Sequence, residues 1–277
     1  MRILFLFFSF FLLTPLNADS IDQEWYEELS PLWQKIASGQ LQNGGFFDKN
    51  GDKLYLSDEP TNEELDALRD ARELHVREMG LKDLKPITHF HKLELIDCSL
   101  NPLLSLKPLR KMHDLKIVDL TGTKIRSLGS IADHDLIELY VGDIVTLQSI
   151  DQLAQTTSLE VLVVANNSLT ELAACSEMDR LRILDASKNY ISDLKGIANC
   201  KRLEELVLFD NPIFEIFYLD ELEELRELHL DATGIEELNS IGRLRSLQKI
   251  TIQDTPFLSA DAIDSFHEMN PRCSIID

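Results

Sequence analysis

Residues 181–203 read LRILDASKNYISDLKGIANCKRL, and the spacing of their apolar side chains decides the fold. Leu181, Leu184, Ala186, Ile191, Leu194 and Ile197 stand at positions 1, 4, 6, 11, 14 and 17 of a unit, Asn189 at position 9, and Leu203 opens the next unit. Positions 4 and 6 alternate as on a strand, which sends every second side chain to one face. Positions 11, 14 and 17 advance by threes, as on a tight 3₁₀ or irregular turn over the same core. A coil of this length cannot bury its apolar face alone, so successive coils must stack.

The unit recurs along most of the chain. Leu93, Leu115, Leu136, Leu159, Leu181, Leu203, Leu225 and Leu247 open units spaced 22, 21, 23, 22, 22, 22 and 22 residues apart, and Ala71 opens a weaker one. The unit from Leu225 carries Leu228, Leu230, Ile235, Leu238 and Ile241 at the same positions, with Thr233 at position 9. At position 9 the chain turns after the strand, and Asn101, Asn167, Asn189 and Asn211 form a structural ladder able to satisfy backbone groups there. Thr123, Thr233 and Thr255 would do so more weakly. One place departs from the rule: a residue is missing after Ile131 and one is inserted between Val141 and Leu147. Position 9 becomes Ile144 or Val145 there, interrupting the ladder, through drift in a tolerant loop or a deliberate bulge.

The pattern LxxLxLxxNxIxxLxxL resembles the leucine-rich repeat. Its 22-residue form is similar to that of bacterial internalins and of the eukaryotic regulatory subunit of protein phosphatase-1. The resemblance covers residues 71–258. It implies an α/β solenoid, a right-handed superhelix with a concave parallel β-sheet and a convex side of 3₁₀ and short turns. It also implies caps at both ends, since an open terminal coil would expose its core to water.

Residues 19–70 read as the N-terminal cap. Ser20 to Ser38 suits a helix bearing Ile21, Trp25, Leu32, Trp33 and Ile36, which Pro31 would split. Asn50-Gly51 between Phe46-Phe47 and Leu54-Tyr55-Leu56 signals a hairpin. Thr61 and Glu64 form a capping box opening a short helix with Leu65 and Leu68. Asp48, Asn50, Asp52 and Glu59 resemble a calcium loop, but Lys53 occupies the place of its turn glycine, so a plain hairpin is the expectation. At the other end, residues 259–277 form the C-terminal cap: a helix over Ser259 to Met269 turning Ala262, Ile263 and Phe266 inward, then a Pro-x-Cys-x-Ile ending. That ending is similar to the closing segment of other leucine-rich repeat proteins, whose Cys and Ile fill the last core layer.

Residues 1–18 combine Arg2, an apolar run from Ile3 to Leu13 and Ala18 before a polar stretch, which reads as a cleavable signal peptide. The run is shorter than the ~20 residues a membrane span needs. Cleavage after Ala18 would remove Arg2 and take the net charge from −21 to −22. The location expected is secreted or periplasmic, with no integral membrane span in the mature chain.

A charge of −21, from 27 basic and 48 acidic residues, argues against a nucleic-acid partner. Four cysteines are too few for a disulfide-built scaffold. Cys98, Cys175 and Cys200 fall at inward positions as buried thiols, with a Cys175–Cys200 bridge the alternative in an oxidising compartment. The paired cysteine caps of animal extracellular repeat proteins are missing, which favours a bacterial secreted protein. His89 and His91 lie on the convex side and belong to no metal-ligand set. No nucleophile-elbow, zincin, P-loop or dinucleotide motif is found, so neither catalysis, a cofactor nor a metal is expected.

Function in this architecture usually lies on the concave sheet. Leu95, Ile117, Tyr140, Val161, Val163, Ile183, Val207 and Phe209 are the candidate partner-binding residues, read as a mostly apolar stripe pointing outward. Asp97, Asp119 and Asp185 border it and would favour a protein partner with a basic rim. The Glu-rich stretch from Glu204 to Glu237 is read as an outward, solubilising surface. The function expected is a non-catalytic module binding another protein through its concave face. The alternatives are a self-associating envelope or structural component and a scaffold like the phosphatase regulator.

Overall fold

The computed structural model describes residues 23–277. The expected signal peptide at residues 1–18, and the first turn of the expected N-terminal helix with Ser20 and Ile21, lie outside the described residues. The rest forms one sheet of eleven strands whose spatial order is the chain order. These are β1 (Gly45–Phe47), β2 (Glu73–His75), β3 (Leu95–Asp97), β4 (Ile117–Asp119), β5 (Glu138–Tyr140), β6 (Val161–Val163), β7 (Ile183–Asp185), β8 (Glu205–Val207), β9 (Glu227–His229), β10 (Lys249–Thr251) and β11 (Ser274–Ile276). β1 pairs antiparallel with β2, and every later neighbour is parallel. Short 3₁₀ turns such as Lys107–Lys111, Ala173–Glu177 and Asn239–Arg243 return the chain on the opposite side. This is the leucine-rich repeat solenoid.

The core is a continuous stack of the apolar positions, running from Leu29 in the N-terminal cap to Cys273 in the C-terminal one. In each strand from β2 to β9 the central residue is buried between two half-buried ones. Only three residues per coil lie flat in the sheet, so each strand offers just two outward side chains.

The position-9 asparagines hold the turns that follow. Asn189 Nδ2 donates to the carbonyls of Val164, Ala186 and Ser187, and its Oδ1 accepts from Leu169 N at 3.0 Å. Asn211 repeats this on Ala186, Leu208 and Ile191, and Asn101 on Val76, Cys98 and Leu81. Each rung therefore reaches back one coil. Thr233 and Thr255 donate only to Leu230 O and Ile252 O. The Thr123 hydroxyl, expected to bond weakly, is buried and makes no hydrogen bond. In the irregular unit Ile144 takes position 9 as a buried residue, its N–H donating to Asn167 Oδ1 at 2.8 Å, while the inserted Val145 points out.

One regularity escapes the repeat pattern. Glu78, Leu100, Asp143, Asn166, Lys188, Asp210, Ala232 and Asp254, each at position 8, adopt a left-handed backbone with φ between 52° and 57°, and Gly122 joins them at 68°. The cause is inter-coil hydrogen bonding. The position-8 N–H donates to the carbonyl one coil on, as Leu100 to Thr121 at 2.7 Å and Lys188 to Phe209 at 2.9 Å. That bond offsets a conformation costing roughly 1–2 kcal/mol for a residue with a Cβ.

The caps close both ends. Pro31 splits the first segment into α1 (Gln23–Glu28) and α2 (Pro31–Ala37), with Ser30 capping the second. Thr61 and Glu64 form a reciprocal capping box on α3 (Asn62–Arg69). The expected hairpin is reduced. Asp48 Oδ1 accepts from Asn50 N and Asp52 N, holding the turn, but the return strand shrinks to one bridge between Phe47 and Lys53. β1 uses its other edge to extend the main sheet, which leaves the return segment as an outer cover. Phe46 stacks on Phe90 at 4.4 Å between ring centroids, sealing the first coil. At the far end α4 (Ala260–Met269), capped by Ser259, buries Phe266 fully but Ala262 and Ile263 only in part. Asn270 Nδ2 donates to Gly242 O, and Cys273 is buried behind it.

Candidate functional site

The pairing register sets out the concave face as two rows of outward side chains. The first runs Glu73, Leu95, Ile117, Glu138, Val161, Ile183, Glu205, Glu227, Lys249. The second runs His75, Asp97, Asp119, Tyr140, Val163, Asp185, Val207, His229, Thr251. With neighbours about 4.8 Å apart, adjacent members touch. The eight candidate residues are all half-buried and do not form one stripe. Glu138 separates Leu95 and Ile117 from Val161, and Asp185 separates Val163 from Val207. The register thus gathers Tyr140, Val161, Val163 and Ile183 into a central apolar patch, leaving two satellites. Leu95 and Ile117 form one. Val207 with Phe209, whose ring carries Lys188 Nζ at 5.7 Å, forms the other.

The carboxylates around the patch are held rigidly. Asp97 Oδ1 accepts from Ser99 N and Ser99 Oγ, and Asp185 Oδ1 accepts from Ser187 N and Ser187 Oγ in the same way. Asp119 Oδ1 accepts from Thr121 N at 2.9 Å. Tyr140 donates its hydroxyl to Glu138 at 2.7 Å, and burial together with that carboxylate pushes the phenol up to about 12. Along the strand entrances runs a ladder of exposed ion pairs: Arg72 to Glu94 at 2.7 Å, and Arg182 to Glu204 at 2.7 Å with Arg226 on its other side at 3.2 Å. Exposed pairs of this kind add little stability, because water and salt screen them. They neutralise part of that edge.

The thiols are inert packing. Cys98, Cys175, Cys200 and Cys273 are all free and buried. Burial raises the pKa of each, Cys200 to about 12. The Cys200 thiol donates to the Cys175 carbonyl at 3.3 Å. His89 is half-buried in the first convex turn and His91 is exposed. Among the described residues no group of three or more His, Cys, Asp or Glu side chains is arranged to hold a metal ion.

The most exposed apolar side chains are not the candidates. Leu104, Val145, Tyr190, Phe214 and Phe257 are 53–70% exposed and lie along the rim where the chain leaves the sheet. Leu104, Tyr190 and Phe214 occupy positions 12, 10 and 12, where stacking asks for nothing apolar. That mismatch is the signal by which the sequence displays them. Gly234 makes room for the Phe214 ring, since a Cβ there would lie 2.6 Å from it, and Phe214 reaches Phe257 at 6.3 Å between centroids.

Solved structures share this architecture. Internalin C2 of Listeria monocytogenes superposes with a TM-score of 0.67 at 23% identity, over 72% of this chain and 88% of that one. A plant peptide hormone receptor, RGFR1 in complex with RGF2, gives 0.62 at 19% identity, over 76% of this chain and 36% of its own. TLR13 in complex with an ssRNA gives 0.60 at 20% identity, over 76% and 32%. No protein-family model matches the chain, and no curated protein sequence matches it significantly. The fold is therefore that of the leucine-rich repeat proteins.

Proposed function

We propose that the protein is a non-catalytic interaction module, secreted or periplasmic, that holds another protein against its concave sheet. The observation carrying this reading is the central patch of Tyr140, Val161, Val163 and Ile183, four outward side chains on three adjacent strands with no charge between them. Outward strand positions exposed to water are ordinarily polar on one face of a sheet, and an apolar island there favours a contact surface. The same fold holds a peptide hormone in one neighbour and an RNA in another, so fold alone does not choose the ligand class. Charge supports the choice: at −21 the chain repels polyphosphate, and Asp97, Asp119 and Asp185 favour a protein with a basic rim. The signal-like residues 1–18 support export, and a mature N-terminus at Asp19 would bear that out.

Tyr140→Glu and Phe209→Glu test the reading in the native source. Both are expected to abolish recovery of a crosslinked partner while leaving the circular dichroism spectrum intact. Unchanged recovery sinks the concave-face reading. A wild-type dimer that these variants dissociate would instead support self-association through the same patch.

A further inference from the structure

The Glu-rich segment looks on sequence like a solubilising surface, but the fold gives part of it a defined shape. On the convex side, between the coils opened by Leu203 and Leu225, lies a cavity of about 300 Å³ walled by Phe214, Phe217, Ile216, Glu215, Glu236 and Glu237. Phe214 and Phe217 are 53% and 47% exposed and stand on the wall of one cavity, so they present a joint apolar surface. Phe217 also packs on Tyr218 at 4.1 Å between centroids, which orients its ring. Two further cavities join this one, sharing Glu215 and Phe217 on one side and Glu237 and Ser240 on the other, so a trough crosses several coils.

The trough's carboxylates differ from the ion-paired glutamates beside them, and share with Glu205 and Glu223 the lack, among the described residues, of an arginine or lysine partner. Glu204, Glu221 and Glu227 each pair with an arginine or lysine of a neighbouring coil. Among the described residues no arginine or lysine pairs with Glu215, Glu236 or Glu237, and Glu237 accepts only from the Asn239 amide. Basic side chains, Arg243 and Arg245, enter only in the adjoining larger cavity. Exposed aromatic faces flanked by uncompensated carboxylates form an environment for a cation with an apolar stem. An arginine inserted there would lay its guanidinium on a phenyl face and donate to the glutamates.

We propose that this trough is a second docking surface, separate from the concave sheet, that takes an arginine-rich segment of a protein partner. The probe is a fluorescein-labelled hexa-arginine peptide, titrated by anisotropy against the full chain at physiological ionic strength. The triple variant Glu215→Gln/Glu236→Gln/Glu237→Gln is expected to weaken binding by at least about tenfold. Phe214→Leu/Phe217→Leu, which keeps charge and apolar bulk but removes both rings, is expected to weaken it about threefold or more. A control of equal charge change, Asp143→Asn/Asp210→Asn/Asp254→Asn, lies at left-handed positions that Asn adopts readily and should leave binding within about twofold. Equal losses in the two charge triples, or no loss in the phenylalanine variant, would overturn the proposal in favour of diffuse attraction to an acidic protein. Neither result bears on the concave-face reading, because none of these residues lies in its two rows.

Discussion

Replacing Asn189 by alanine tests the physical account of the solenoid at its most constrained point. The amide makes four hydrogen bonds within two coils. Their loss is not equally felt. Val164 O keeps a bond from Asn167 Nδ2, Ala186 O keeps one from Asn211 Nδ2, and Ser187 O keeps one from Asn166 N. Leu169 N keeps none, and it is buried. An orphaned buried donor costs about 1–3 kcal/mol, and the weakened carbonyls bring the expected total to about 2–4 kcal/mol. For a chain of this size that corresponds to a fall in Tm of roughly 5–15 °C. Thermal and urea melts followed by far-ultraviolet circular dichroism would read it, and the Leu169 amide should show the largest gain in hydrogen exchange. Thr123 occupies the same position in its own unit, but its hydroxyl is buried without a partner. Thr123→Val should therefore leave stability unchanged or raise it by up to about 1 kcal/mol. If the two substitutions proved equally harmful, or Asn189→Ala cost under ~0.5 kcal/mol, the hydrogen-bond reasoning would be refuted.

Three more expectations follow from the same geometry. Ala232→Gly removes a Cβ from a left-handed position and should stabilise by about 0.5–1 kcal/mol, whereas Gly122→Ala, whose Cβ would lie 2.6 Å from the Leu100 side chain, should destabilise by at least about 1 kcal/mol in urea melts. His134 is buried with Nδ1 unpartnered and Nε2 on Leu109 O at 3.0 Å, and burial lowers its pKa below 6.5. The unfolded chain thus binds the proton first, so stability is full above the ordinary histidine pKa and falls as the pH drops below it. His134→Leu should flatten that limb, and a wild-type melt insensitive to pH in this window would contradict the assignment. Thiol titration with a disulfide reagent at pH 8 should detect no cysteine in the folded protein and four after denaturation. Fast modification of the folded form would mean that the stacked core opens.

The reasons why some features were legible lie in where the constraints arise. Leu184 and Ala186 must face inward for the coil to pack, so the architecture is written in the periodicity itself. Asn189 could be assigned because its chemistry and its place in the turn coincide. The left-handed backbone at position 8 was not legible. Glu78, Leu100, Lys188 and Ala232 have no local preference for it, and the conformation is imposed by hydrogen bonds to the next coil. Pairing of β1 with β2 is not written locally for a similar reason: Asn50-Gly51 marks a local turn, while the sheet edge that competes for Phe46 is remote in sequence. The concave candidates could be named one by one, but their division by Glu138 and Asp185 depends on register across strands. Phe214 and Phe217 stood in plain view within a run dominated by glutamate, and only the fold separates the paired carboxylates from the unpaired ones.

The measurement that tests the central claim most directly is site-specific photocrosslinking in the native source. A benzophenone amino acid at Val163, at the centre of the concave patch, is compared with one at Lys195, on the convex side. A discrete protein adduct from Val163, lacking at Lys195 and lost on Tyr140→Glu, is the predicted result. Identical adducts from both positions, or none from Val163, would contradict it.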